Sequence, residues 1–493
     1  MHAFRTLALA VLSLGLAAEA RPQSSAYKHV AVFSIDGLHA SDVEKYLAAR
    51  PKSTIASLLE TGYEYTQAYT SAPSDSFPGA QAQFTGASPR THGVWYDDTW
   101  DRTYFAPGSD CTGKPGAEVV YTEALDYDGT ALFSGGINPA NLPKALVNGV
   151  CTAVWPHQRL RVNTVFEVVN SKGLATAYTD KHPAYDMINA VAVAVNETIG
   201  YDQYHVDAFL NWIDGKDPQH SEGSLKGKTP TLFGGNFQSV SVTQKTVGYQ
   251  NATGNPFTPQ LLKALDFVDN SLGQIVNKLK SKGIYEDTLI VVASKHGQAA
   301  IDPAKYRKIA PSLVTKAAGI PIAFQTSDDI ANLFLENHAD VLKAVAGLKT
   351  QAKALAIVDI IYGERLIEMG FGNPLVDPAV PDIIVRPEVG IIYTNSNSKI
   401  AEHGGISDDD RHVGVFVPNP KLKQRKISTK TETKQIGPTI LKALGLNPLE
   451  LKGAVIEKTE LLEGFEVLEG FENFVQGFKG FKGFKGFKGF KGF

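Results

Sequence analysis

SAPSDSFPGAQAQFTGASPRTHGVWYDDTWD, residues 71–101, decides how the rest of the chain is read. Pro78 suits a first helical turn because it lacks the N–H that would be orphaned there, and Gly79 to Phe84 can continue the helix. The stretch therefore delivers Ser76 onto a helix start. Free backbone N–H groups at such a start favour an anion, so a hydroxyl placed there can hold or attack a phosphate. Taken by itself, a serine ahead of Phe77-Pro78 is an ordinary helix cap.

The order of residues around it says more. HVAVFSIDGL, residues 29–38, is an apolar run ending in Asp36-Gly37, and downstream of Ser76 come Thr85-Gly86, Pro89 and His92-Gly93-Val94. Together these resemble the alkaline phosphatase superfamily, and within it the type I phosphodiesterase/nucleotide pyrophosphatase branch. The resemblance spans residues 28 to 420 without the insertions. It implies a metal-binding Asp36 after the first strand, Ser76 as nucleophile before x-Pro, and His92 in a framework role. Two divalent ions about 4 Å apart clamp the phosphate in such sites. One is held by the first Asp, the nucleophile and a late Asp-His pair; the other by a D-x-x-x-H motif and a late His-Gly. Asp36, His296 and His403 fall on metal positions of that pattern.

The chain also departs from it. Ser294-Lys295-His296-Gly297 stands where the family has Ser-Asp-His-Gly, and Lys245 to Tyr249 is the best match to D-x-x-x-H, again with Lys for Asp. Asp97 or Asp98 falls where the family binds phosphate through Asn. Asp180-Lys181-His182 resembles the sulfatase segment that brings a Lys and a His to the sulfate, yet Ala80 stands where the sulfatase maturation signal needs Arg. The expected site therefore has Ser76, Lys181, Lys245 and Lys295 as catalytic groups. Asp36, His296 and His403 are expected to hold one divalent ion (zinc or another, or none at all), and His182 and Asp97 to bind substrate.

Strands alternate with helices along the chain, and polar residues gather at strand ends. That pattern predicts an α/β three-layer fold, with a mostly parallel central sheet, helices on both faces and loop-rich insertions. Ligands in such sheets bind beyond the carboxyl ends of the strands. Strands are predicted over Val30–Asp36, Leu174–Tyr178, Thr288–Ala293 and Val413–Val417, and helices over Asn163–Lys172 and Pro259–Leu279. Trp100–Pro156 reads as an insertion roofing the site, and Ile188–Phe233 as a second insertion.

With 493 residues, a net charge of −3, 43% hydrophobic and 20% charged residues, the composition is that of a globular protein and gives no general basis for binding nucleic acid. Residues 1–20 have the basic, apolar and small-x-small regions of a secretory signal peptide. Cys111 and Cys151 are the only cysteines, and pair in an oxidising compartment. Asn196 and Asn251 begin glycosylation acceptor triplets. Residues 21–450 are assigned to the phosphodiesterase-like domain. Residues 451–493 are assigned to a low-complexity tail with Gly-Phe-Lys repeats whose Lys and Phe could contact an anionic surface. The reading that emerges is a secreted hydrolase of phosphate esters, diesters or pyrophosphates acting on a small phosphate-containing substrate. Its alternatives are a sulfatase-like hydrolase and a non-catalytic relative that binds an anion.

Overall fold

The computed structural model describes residues 26–128, 136–189, 198–217, 225–252 and 256–466. The signal-peptide reading, the acceptor at Asn196 and the Gly-Phe-Lys repeats lie outside the described residues.

Strand His29–Ile35 is buried along almost its whole length because it sits in the middle of a seven-stranded sheet. In spatial order the strands are Arg425–Ile427, Gly62–Tyr65, Phe416–Pro418, Thr288–Ala293, His29–Ile35, Leu232–Phe237 and Thr176–Thr179. His29–Ile35 pairs in parallel with both neighbours, and Thr176–Thr179 is parallel to Leu232–Phe237. Phe416–Pro418 runs antiparallel to the strands on either side of it.

Successive side chains on a strand point to opposite faces. Val30 and Val32 accordingly enter one core, while Ala31, Phe33 and Ile35 enter the other. Helices Ser76–Thr85, Val165–Ser171 and Ile436–Ala443 cover the first face; Ala40–Ala49, Thr198–Ile213 and Pro259–Ser281 cover the second. Each fully buried Val or Phe contributes about 1.5–3 kcal/mol relative to exposure, which is why this strand has no polar face to spare. The predicted three-layer arrangement is what the chain adopts.

Four local features differ from the sequence-based expectations or go beyond them. Ile188–Phe233 is not simply an insertion: it contains the Thr198–Ile213 helix, and Leu232 opens a central strand. Ser239–Thr246 is a helix, with Lys245 in its last turn. Between residues 307 and 393 the chain builds a separate four-stranded sheet, ordered Ile322–Ser327, Ala331–Leu335, Ile383–Pro387, Ile357–Tyr362, with its own apolar core. The assignment of 451–493 to a tail is also corrected, because packing continues past 450. Lys452–Glu457 is helical, and Leu462 and Phe465 are buried in the first core.

Two antiparallel strand pairs follow the Ser76 helix, Asp98–Asp101 with Ala117–Val120 and Lys144–Val147 with Val150–Ala153. The Cys111–Cys151 disulfide ties the two together, with Cα atoms 5.6 Å apart. Tyr121 packs its ring 5.0 Å from Phe77, setting this insertion against the start of the Ser76 helix. Among the described residues, no helix is long and apolar enough to cross a membrane.

Candidate active site

Asp36 follows strand His29–Ile35, Asp180-Lys181 follow Thr176–Thr179, and Lys295-His296 follow Thr288–Ala293. Three parallel strands of the central sheet, with Leu232–Phe237 between the first two, thus place the charged residues that follow them together beyond the carboxyl ends of the sheet, as the topology requires. The Ser76–Thr85 helix comes in across those ends. Asp75 is its N-cap and Ser76 its first residue.

Lys181 donates from Nζ to Ser76 Oγ at 3.0 Å and to Asp36 Oδ2 at 3.4 Å. Asp36 Oδ2 also accepts from Asn236 Nδ2 at 3.0 Å, and His296 Nε2 lies 3.7 Å away. The buried Lys295 ammonium is 3.5 Å from Asp36 Oδ1 and 3.2 Å from Asp180 Oδ1, and donates to the Tyr185 hydroxyl at 2.8 Å. The His403 ring stands 3.9 Å from that of His296; its Nδ1 is 3.0 Å from Asp75 Oδ1 and its Nε2 3.2 Å from Lys245 Nζ. Lys245 pairs in turn with Glu402, which also meets Lys399.

Burial alone would raise the Asp36 carboxyl, but Lys295, Lys181 and His296 override it and hold the group well below the usual carboxylate range. Burial pushes the Lys295 ammonium down, against the pull of Asp180 and Asp36. Lys181 is raised: burial works against its charge, and Asp36, Asp180, Asp75 and Asp97 outweigh burial. His403 is lowered, first by burial and then by His296 and Lys245, so its imidazole is neutral. Asp97 is pushed up to about 7 by burial and the facing Asp75, and gives its own backbone N–H to Asp75 Oδ2 at 2.7 Å.

Of the nine residues expected in the site, Asp36, Ser76, Lys181, Lys295 and His296 meet in one cluster, and His403 with Lys245 adjoins it. Asp97 joins through Asp75. His182 lies against Tyr185, rings 6.5 Å apart and nearly parallel, with Tyr185 between it and Lys295. Sequence reading missed the parts played by Asp75, Asn236, Tyr185 and Glu402. Glu402 stood beside His403 in plain view; Asn236 was hidden because its strand, Leu-Phe-Gly-Gly-Asn-Phe, reads poorly as a strand.

A divalent ion does not fit these donors. Among the described residues, no group of three or more His, Cys, Asp or Glu is placed to hold a metal. Ammonium groups meet both oxygens of Asp36 and the Nε2 of His403. An ammonium about 4 Å from a divalent ion, at an effective dielectric near 20, is repelled by roughly 8 kcal/mol. The expectation that Asp36, His296 and His403 share one ion therefore finds no support in their surroundings.

The family model for type I phosphodiesterase/nucleotide pyrophosphatase matches residues 30–407. Two solved structures of murine ectonucleotide pyrophosphatase/phosphodiesterase 5, one of them an inactive variant in complex with AMP, share the fold. Each superposes with a TM-score of 0.59 at 15% identity, covering 85% of this chain and 96% of the other. No curated protein matches the sequence at a significant level.

Proposed function

Because this chain belongs to the type I phosphodiesterase/nucleotide pyrophosphatase family, we propose that it uses Ser76 as the nucleophile in a secreted enzyme acting on small phosphodiesters or pyrophosphates. The chain is a hydrolase of the phosphodiesterase/pyrophosphatase kind; the residues that carry the reaction are the proposal. One observation carries it: Ser76 Oγ sits at a helix start, within 3.0 Å of the Lys181 ammonium. Helix N–H groups and an ammonium beside one hydroxyl both favour the alkoxide that attack requires and the phosphate oxygens it attacks.

The Ser76 Oγ–phosphorus bond forms as the bond from phosphorus to the leaving oxygen breaks, and the serine proton ends on the leaving alcohol or phosphate. Water then breaks the Ser76 Oγ–phosphorus bond of this covalent intermediate, which still carries the substituent that did not leave, releasing the phosphate monoester and restoring the hydroxyl. Lys181 and Lys245, the partly exposed lysines of the cluster, receive the phosphate oxygens, while buried Lys295 fixes Asp36 and Asp180. The AMP bound by the murine structure makes a nucleotide a sensible first substrate to test. The signal-peptide reading, the Cys111–Cys151 disulfide and the exposed acceptor Asn251 support secretion.

Ser76→Ala tests the assignment on a nitrophenyl phosphodiester and on nucleotides. Turnover is expected to fall by a factor of about a thousand or more with the melting temperature unchanged. Full turnover by a folded Ser76→Ala protein would remove Ser76 from the mechanism.

A further inference from the structure

We infer that lysines have taken the place of both divalent ions of this family, so that the site receives phosphate without bound metal. The inference rests on the family reading above and on where three ammonium groups lie.

The first ion of the resembled pattern would sit among Asp36, Ser76 and the late pair now occupied by Lys295-His296. Lys295 Nζ and Lys181 Nζ bracket Asp36, at 3.5 Å from Oδ1 and 3.4 Å from Oδ2 respectively, and Lys181 also reaches Ser76 Oγ at 3.0 Å. Every oxygen that would face that ion already faces an ammonium. The second ion would need the late His-Gly imidazole. Lys245 Nζ stands 3.2 Å from His403 Nε2, and its carboxylate partner is Glu402. The two lysines come from different elements, one after strand Thr288–Ala293 and the other from the last turn of helix Ser239–Thr246, and both arrive at metal positions.

Charge arithmetic agrees with the geometry. Replacing one ligand Asp by Lys changes the site's charge from −1 to +1, a gain of two. Two such replacements offset the charge of two divalent ions, so an incoming phosphate meets the same formal charge. Lys181 stands in addition to these, and Asp180, 3.2 Å from Lys295, balances it. Fixed ammonium groups also give hydrogen-bond donors directed at phosphate oxygens. They cannot dissociate, so the site's charge does not depend on metal supply.

The test uses the full exported chain, purified without chelator and dialysed against zinc. Elemental analysis should find well under one equivalent of any transition metal per chain. Excess EDTA should leave both the melting temperature and calorimetric binding of inorganic phosphate unchanged. Lys245→Met should weaken phosphate binding by about tenfold or more. One or more equivalents of metal per chain, removed by EDTA with loss of phosphate binding, would overturn the inference, as would unchanged phosphate affinity in a folded Lys245→Met protein. The outcome is separable from that for Ser76: metal content and chelator response do not depend on which atom attacks phosphorus. A metal-free protein whose Ser76→Ala form still turns over would sink the nucleophile and leave the lysine substitution standing.

Discussion

Gly79 rests directly on the backbone carbonyl of Lys295: a Cβ at position 79 would lie 1.8 Å from that oxygen. The helix carrying Ser76 and the loop carrying Lys295-His296 are thereby held at a separation that no side chain would permit. Thr70 Oγ1 donates to the same carbonyl at 2.6 Å, pinning the loop from another direction.

Gly79→Ala should therefore disturb the site more than the fold. Overpacking of this kind costs about 1–3 kcal/mol, and displacement of a reacting group by about 1 Å costs roughly a hundredfold in turnover. Activity assays beside thermal melts check it. Wild-type turnover in Gly79→Ala would show that the helix start does not set the reacting geometry.

Acid sensitivity should come partly from His92. Its Nδ1 accepts from the Val94 N–H at 3.2 Å, and burial pushes its pKa down to about 3. The unfolded chain takes up the proton near pH 6.5, so protons favour unfolding. Stability from the neutral ring is complete above about 6.5 and is lost as pH falls toward about 3, at roughly 1.4 kcal/mol per pH unit. His205, pushed down to about 3 by burial and then by the Lys295 charge, acts with the same sign. In denaturant titrations between pH 6 and 4, His92→Gln should show a stability slope shallower by about that 1.4 kcal/mol per pH unit. An unaltered slope would mean that His92 does not titrate in this way.

Phe465 is 1% exposed and meets Tyr63 edge to face at 5.6 Å. Phe465→Ala should cost about 3–5 kcal/mol, readable as a lower urea midpoint. A loss below about 1 kcal/mol, the scale of a surface substitution, would return this segment to the tail.

The disulfide closes a loop with a sequence separation of 40. Converting Cys111 and Cys151 together to Ser should destabilise by about 2–5 kcal/mol. Since the loop lies against Phe77 through Tyr121, the loss should appear as a single shifted unfolding transition. A separate early transition would show that the two strand pairs fold independently of the Ser76 helix.

Asp36, Lys181 and Lys295 were legible because each closely follows a strand-like stretch, His29–Ile35, Thr176–Thr179 and Thr288–Ala293, and a parallel sheet brings such ends together. Asn236 was not, because its strand contains Gly234-Gly235. A Cβ at Gly234 would lie 1.9 Å from the Val32 carbonyl oxygen and one at Gly235 2.5 Å from that of Thr179. The packing that demands these glycines also erases the strand signal. In the second sheet Ile383–Val385 reads as a strand, but Ile322–Ser327 escapes for another reason: most of its residues are only half buried, so neither a continuous apolar run nor a clean alternation marks it. Asp75 and Glu402 acquire their roles only through partners far along the chain, His403 and Lys245, which spacing does not reveal.

The most direct test of the account is to quench the enzyme in acid during turnover of a nitrophenyl phosphodiester and map the covalent adduct by peptide mass spectrometry. The account predicts, on the peptide bearing Ser76, the substrate's phosphoryl group still carrying its second ester substituent, absent from Ser76→Ala. Steady turnover with no adduct at any quench time, or an adduct on another residue, would contradict it.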